Sequence, residues 1–194
     1  MAWRGGSREP GRDDPDAEVV ERARRGETDA FDELVRRYSD RLVNYIRAML
    51  WQRADAEDVA QEAFLRAYRG IRGFRGQSSF RTWLYRIATN AARTHAARRK
   101  GRLEDPAGSF GDEDASGRLA VSTDDVEAGV VLRDRIDRAL AQLPEDQRQA
   151  VVLRDVEGFE YREIAEMLAI PMGTVESRIF RARQRLRELL REHS

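Results

Sequence analysis

Residues 161–182 read YREIAEMLAIPMGTVESRIFRA, two short amphipathic segments with a break between them. In the first, Ile164, Ala165 and Leu168 fall on one helical face. The break, Ala169-Ile170-Pro171-Met172-Gly173, carries the proline and glycine that punctuate helices. A second helix begins near Thr174 and turns Val175, Ile179, Ala182, Leu186 and either Leu189 or Leu190 inward. Small Ala165 suits a close crossing of the two helices. The pattern is a helix-turn-helix, with one departure: the turn position that is often glycine is Ala169.

The outer face of the second helix is as informative as its core. Ser177, Phe180, Arg181 and Gln184 stand at i, i+3, i+4 and i+7, away from the apolar stripe. Arginine pairs with guanine in the major groove, glutamine with adenine, and an apolar group suits the thymine methyl. A solvated surface has little use for a phenylalanine among arginines, whereas a recognition helix does. Helical hairpins that bind only protein share the pattern, so the rest of the chain has to decide.

Helical periodicity extends from near Val130 to Leu190, interrupted at Leu143-Pro144 and Gly158. Before it, residues 101–127 hold five glycines and prolines among acids and no sustained apolar period, which predicts a linker. Fully extended, it spans up to about 90 Å at roughly 3.4 Å per residue. Further upstream three more helical patterns appear. Phe31, Leu34, Val35, Tyr38, Leu42, Tyr45, Ile46 and Met49 mark the first, and Val59, Ala63, Phe64, Ala67, Tyr68 and Ile71 the second. The third carries Phe80, Trp83, Leu84, Ile87, Ala88 and Ala91, after a loop rich in glycine and arginine. No stretch alternates at period two. The expected fold is all-α, with a disordered tail over residues 1–16, a helical domain over 17–100, the linker, and a helix-turn-helix domain over 128–194.

Two faces of the N-terminal domain invite a functional reading. Asp58, Gln61, Glu62 and Leu65 line one side of the second helix, opposite its core. A leucine framed by acids and an amide reads equally as a protein-docking surface and as an ordinary solvated face. On the third helix Trp83, Ile87, Asn90 and Thr94 form a line behind the loop bearing Phe74. Rings and amides together serve the capture of a single-stranded base, although Trp83 also reads as core. The basic block after it, Arg93, Arg98, Arg99, Lys100 and Arg102, weighs toward nucleic acid.

Charge supports this division. The chain is formally neutral, with 35 basic and 35 acidic residues. Yet residues 104–127 hold eight acids against Arg118 alone, and residues 174–191 hold six arginines against Glu176 and Glu188. Two basic segments therefore flank an acidic tether, as expected for two polyanion-binding surfaces or for solvated surface around a linker.

Several function classes find no support. There is no cysteine, and His95 and His193 lie far apart, so neither a thiolate or histidine metal site nor a nucleophilic triad is expected. Gly70-x-x-Gly73-x-x-Gly76 has glycine spacing like a phosphate loop, but no strand precedes it. No cofactor and no small-molecule substrate are expected. No apolar run approaches the roughly 18 residues of a membrane span, and Met1–Gly6 lacks a signal-peptide core, which predicts a cytoplasmic protein.

Four stretches together resemble the extracytoplasmic-function sigma factors: DAEDVAQEAFLRAY (55–68), FRGQSSFRTWLYRIATNAAR (74–93), LPEDQRQAVVLRDVEGFEYREIAEML (143–168) and GTVESRIFRARQRL (173–186). The resemblance implies a promoter-recognition subunit of RNA polymerase, with catalysis left to the polymerase. It implies docking on the clamp of the largest subunit through Asp58, Gln61, Glu62 and Leu65. It also implies −10 recognition and melting by a pocket of Phe74, Ile87 and Asn90, supported by Trp83 and flanked by Arg93 and Thr94. The −35 element falls to Thr174, Glu176, Ser177, Phe180, Arg181, Arg183 and Gln184, with the same domain packing on the flap of the second-largest subunit. Glu176 departs from the arginine of some relatives, which leaves the −35 sequence open. An anti-sigma factor is implied as a further partner. A conventional helix-turn-helix regulator is the rival, but it leaves the two N-terminal faces without a purpose.

Overall fold

The computed structural model describes residues 14–50, 55–103 and 135–191, and among these every regular element is helical. The chain divides into two compact units, with a break inside the fourth helix after Ala92.

The first unit opens on α1 (Ala17–Arg24) and α2 (Thr28–Met49). Gly26, at φ +96°, turns the chain between them. Its N–H donates to the Ala23 carbonyl at 3.0 Å, and that of Glu27 to the Arg22 carbonyl at 3.2 Å. These bonds satisfy carbonyls that the end of a helix leaves open. Phe31, Leu34, Tyr38, Leu42, Tyr45, Ile46 and Met49 form the buried stripe of α2. Against α2 pack both α1 and α3 (Ala56–Gly70).

Next comes α4 (Phe80–Leu103). It starts where Ser79 Oγ accepts the Thr82 N–H at 3.1 Å, the bond expected of a serine N-cap. Its buried face carries Phe80, Leu84, Tyr85 and Ala88. Aromatic contacts join it to α2: Tyr38 to Phe80 at 5.8 Å and Tyr45 to Tyr85 at 5.0 Å between ring centres. The Tyr45 hydroxyl meets Thr89 Oγ1 at 2.7 Å, so the polar tip of a buried ring is satisfied inside the core.

Two boundaries differ from the sequence expectation. Residues 101–103 belong to α4, so the segment expected as linker begins in helix. The tail expected over residues 1–16 stops short of Asp14. Asp14 accepts the Phe80 N–H at 2.8 Å, and the wholly buried Asp16 accepts from Arg37 and from the Tyr38 hydroxyl. Carboxylates paired in this way fasten the chain, whatever the local composition suggests. Residues 1–13 and 104–134, and with them the rest of the tail and the acidic tether, lie outside the described residues.

The second unit holds α5 (135–141), α6 (Glu145–Val151), α7 (Tyr161–Leu168) as far as Ala165, and α8 (Met172–Arg191). Pro144 opens α6, its carbonyl accepting from Gln147 and Arg148 at 3.0 and 2.9 Å. At its other end α6 widens into a π turn, Val152–Val156, closed by Glu157 N–H on the Val152 carbonyl at 3.0 Å. On α8, Val175, Ile179, Ala182 and Leu189 are buried, whereas Leu186 and Leu190 are half-buried. Helix α6 packs on α8.

The turn after α7 repeats the device at Gly26 with a different residue. Ala169 takes φ +54°, and the Ile170 N–H donates to the Ala165 carbonyl at 3.1 Å. An L-residue in this region costs about 1–2 kcal/mol, partly offset because glycine loses more entropy on folding. Ala169 is exposed, so its methyl contributes little packing. Ala169→Gly is therefore expected to stabilise the helix-turn-helix by about 0.5–1 kcal/mol. A urea titration that shows no gain would mean the turn carries no strain.

Candidate nucleic-acid and protein interfaces

Helix α3 carries the four residues expected from the sequence to line one face. Asp58, Gln61 and Leu65 are exposed, Leu65 at 48%, and Glu62 is half-buried beside Arg66, 2.6 Å away. Tyr68 corrects the sequence reading. It was expected in the core but is 48% exposed, one helical step beyond Leu65. It meets Phe31 in a T-shaped contact at 5.0 Å between ring centres. Helical spacing alone places a residue at the margin of a stripe without saying which side of the margin it takes.

On α4 the expected line runs along the border of the core. Trp83, Ile87 and Thr94 are half-buried and Asn90 is exposed, while Arg93 is half-buried beside them. Phe74 is the residue whose setting differs most from the expected loop. It is buried, 5.0 Å from the Trp83 ring and 6.4 Å from Phe80. Trp83 in turn lies over Gly70, where an added Cβ would come within 3.3 Å of the indole. The two rings thus form a packed wall, and the open position on the line is Asn90. Arg75, Gln77 and Arg86 are exposed around this wall and were not singled out from the sequence.

On α8, Glu176, Phe180, Arg181 and Gln184 are exposed and Thr174 and Ser177 half-buried. Phe180 reaches 62% exposure, opposite the buried Val175, Ile179 and Ala182. Ser177 Oγ donates to the Thr174 carbonyl at 3.0 Å, within the first turns of the helix. Arg183 is half-buried and holds Asp155 through two bonds, at 2.9 and 2.5 Å. The bond to Asp155 raises the Arg183 pKa above its ordinary value. Arg178 reaches Asp146 on α6 at 3.1 Å, and Arg185 reaches Glu188 at 3.1 Å. Half of the six arginines counted on this helix are therefore already paired. Arg181 and Arg187 are exposed and make no ion pair with a described residue.

Asp155 escaped the sequence reading. It lies 28 residues before Arg183, within the π turn. Among the described residues there is no group of acids and histidines arranged to hold a metal ion, and no helix long and apolar enough to cross a membrane.

Comparison with known proteins matches both units. Residues 34–102 match sigma-70 region 2 and residues 133–186 match sigma-70 region 4. The RNA polymerase sigma-H factor of Pseudomonas aeruginosa is 43% identical over 186 residues, covering 91% of this chain and 96% of that protein. The ECF RNA polymerase sigma-E factor of Escherichia coli K12 is 38% identical over 174 residues, covering 87% and 91%. Among solved structures, the sigma factor RpoE in complex with the anti-sigma factor NepR from Bartonella quintana aligns with a TM-score of 0.69. It is 27% identical and covers 83% of this chain and 96% of that one. CnrH in complex with the cytosolic domain of CnrY aligns with a TM-score of 0.68 at 28% identity, covering 92% and 99%. The chain belongs to the extracytoplasmic-function (ECF) RNA polymerase sigma factors.

Proposed function

We propose that the chain directs promoter-specific initiation by distributing three contacts over its two units. The α3 face of Asp58, Gln61, Glu62 and Leu65 docks on the clamp of core RNA polymerase. The α4 border, with Asn90 at its open position, receives a base of the −10 element, and Phe74 and Trp83 form the wall behind it. The outer face of α8 reads the −35 element through Phe180, Arg181 and Gln184. Exposed Phe180 beside Arg181 and Gln184 is the observation that carries this reading. We assign the chemistry of RNA synthesis to the polymerase, and place the protein in the cytoplasm with it. An anti-sigma protein is the natural restraining partner, since the two solved neighbours are described as complexes of that kind or with a cytosolic domain of a second protein.

The test is run-off transcription with purified core polymerase on duplex promoters and on templates already unpaired at −10. Extruding a base costs a few kcal/mol of stacking and pairing, which the pocket has to return. Asn90→Ala should leave stability within about 1 kcal/mol, because the residue is exposed. It should impair opening of duplex promoters, alter preference at one −10 base, and recover much of its activity on the unpaired template. Normal opening with unchanged preference returns Asn90 to a structural role. DNA binding without any run-off product would leave a conventional helix-turn-helix regulator.

A further inference from the structure

We propose that Asp155 is an affinity-setting residue, whose carboxylate holds Arg183 of the recognition helix in a neutral pair and withholds one cation from promoter phosphates. This rests on the reading of α8 as the −35 helix. Two Arg183 bonds go to one carboxylate, Nε to Oδ2 at 2.9 Å and Nη2 to Oδ1 at 2.5 Å, in the fork geometry that a phosphate would otherwise use, and Tyr161 adds a further side-chain bond. The pair stands in the open, with the side chains 43% and 37% exposed.

Fastening α8 does not require this pair. Val175, Ile179, Ala182 and Leu189 are buried, Arg178 is bonded to Asp146, and Arg135 donates to the Leu190 carbonyl at 3.3 Å. An exposed ion pair adds little to a helix held so well. What the pair changes is charge. Arg183 lies one turn from Phe180, three residues back, and from Arg187, four residues on, which makes no ion pair with a described residue. Neutralising it removes one phosphate-seeking cation from a face that otherwise attracts any DNA. The placement of Asp155 also depends on the widened turn Val152–Val156. One residue more or less in a helix rotates every later side chain by about 100°. A regular α turn would therefore aim this carboxylate elsewhere, and such π turns recur at functional sites.

The experiment uses the full chain and two fluorescent duplexes over a range of salt. One carries the upstream sequence that the wild-type holoenzyme selects from a randomised pool, and the other is its scramble. Each phosphate neutralised contributes about 0.9 to the slope of log affinity against log salt. Asp155→Asn should steepen that slope by about 0.9 and tighten both duplexes about 3- to 10-fold at 0.15 M salt, so that discrimination does not improve. Asp155→Glu should keep the wild-type slope, because the charge remains. Arg183→Ala should leave the slope unchanged, since the arginine is already neutralised, and in the double variant the gain from Asp155→Asn should vanish. Unchanged or weaker binding by Asp155→Asn overturns the proposal, and so does a slope loss of about 0.9 in Arg183→Ala. The latter serves even if Asp155→Asn folds poorly. Arg181→Ala separates the two levels of inference. If it leaves specific binding intact, the −35 reading itself fails; if it weakens binding while Asp155→Asn does not tighten it, only the role of Asp155 fails.

Discussion

Asp16→Ala is expected to cost the first unit about 2–4 kcal/mol, although the residue lies only just inside the described chain. Its carboxylate accepts from the Arg37 guanidinium and the Tyr38 hydroxyl while itself wholly buried. Hydrogen bonds to a charged group contribute about 1.5–3 kcal/mol each, and a buried donor left without an acceptor costs about 1–3 kcal/mol. The two losses are not equal here. Arg37 keeps 40% of its side chain in water and rehydrates on losing its partner, so little of the cost falls on it. Tyr38 is buried in α2 against Phe80, and its hydroxyl has nowhere comparable to turn. Burial, reinforced by the bond to Asp16, pushes the Tyr38 phenol well above its ordinary range, so it stays a neutral donor. Asp16→Asn should fall between wild type and alanine, because an amide oxygen still accepts one of the two bonds. The measurement is hydrogen exchange of the α2 amides across a urea series, which reports this unit by itself. A loss below about 0.5 kcal/mol would show that the N-terminal clasp is peripheral to the fold.

The same clasp marks where sequence reading stops. Helical periodicity found α2, α3, α4 and α8, because a repeat of three and four residues is a local property of the chain. It found the turn at Ala169 for the same reason, and even its departure from glycine, which the structure returns as a left-handed alanine. Asp16, by contrast, sits in a segment whose glycines, prolines and charges suggest disorder. Its partners are 21 and 22 residues away, and nothing local announces them. Asp155 and Arg183 repeat the case across 28 residues, with a π turn in between that no periodicity encodes. Phe74 fails differently. Its neighbours read as a loop, whereas Ile71–Gly73 form a 3-10 turn that Phe74 caps, and the ring folds back against Trp83 and Phe80. Backbone class and side-chain burial are separate questions at such a position. The exposed faces of α3 and α8 were legible because exposure on a helix is set by where its core stripe lies.

The most demanding test of the α3 face is Asp58→Arg. The residue is exposed in the first turn of α3 and outside its buried stripe of Val59, Ala60, Ala63 and Ala67, so the helix should survive the change. Some loss of stability is still expected. An acid near a helix N-terminus interacts favourably with the helix dipole by about 0.3–1 kcal/mol, and an arginine there reverses the sign. Binding should suffer far more. A carboxylate that meets a basic clamp residue contributes through its partner, and reversing its charge leaves two cations opposed in a partly dehydrated interface. Such juxtapositions cost several kcal/mol, and at 1.4 kcal/mol per tenfold a loss of about 3 kcal/mol weakens core-polymerase affinity more than a hundredfold. Leu65→Ala supplies the apolar half of the argument. Leu65 is 48% exposed in the free chain, so its truncation should be nearly silent in the fold. If docking buries it, the same truncation should weaken binding by about 1–2 kcal/mol. A fluorescence titration of labelled chain with core polymerase measures both. Wild-type affinity in Asp58→Arg would move the docking surface off this face, and the neighbouring Tyr68, exposed against expectation, would be the next residue to change.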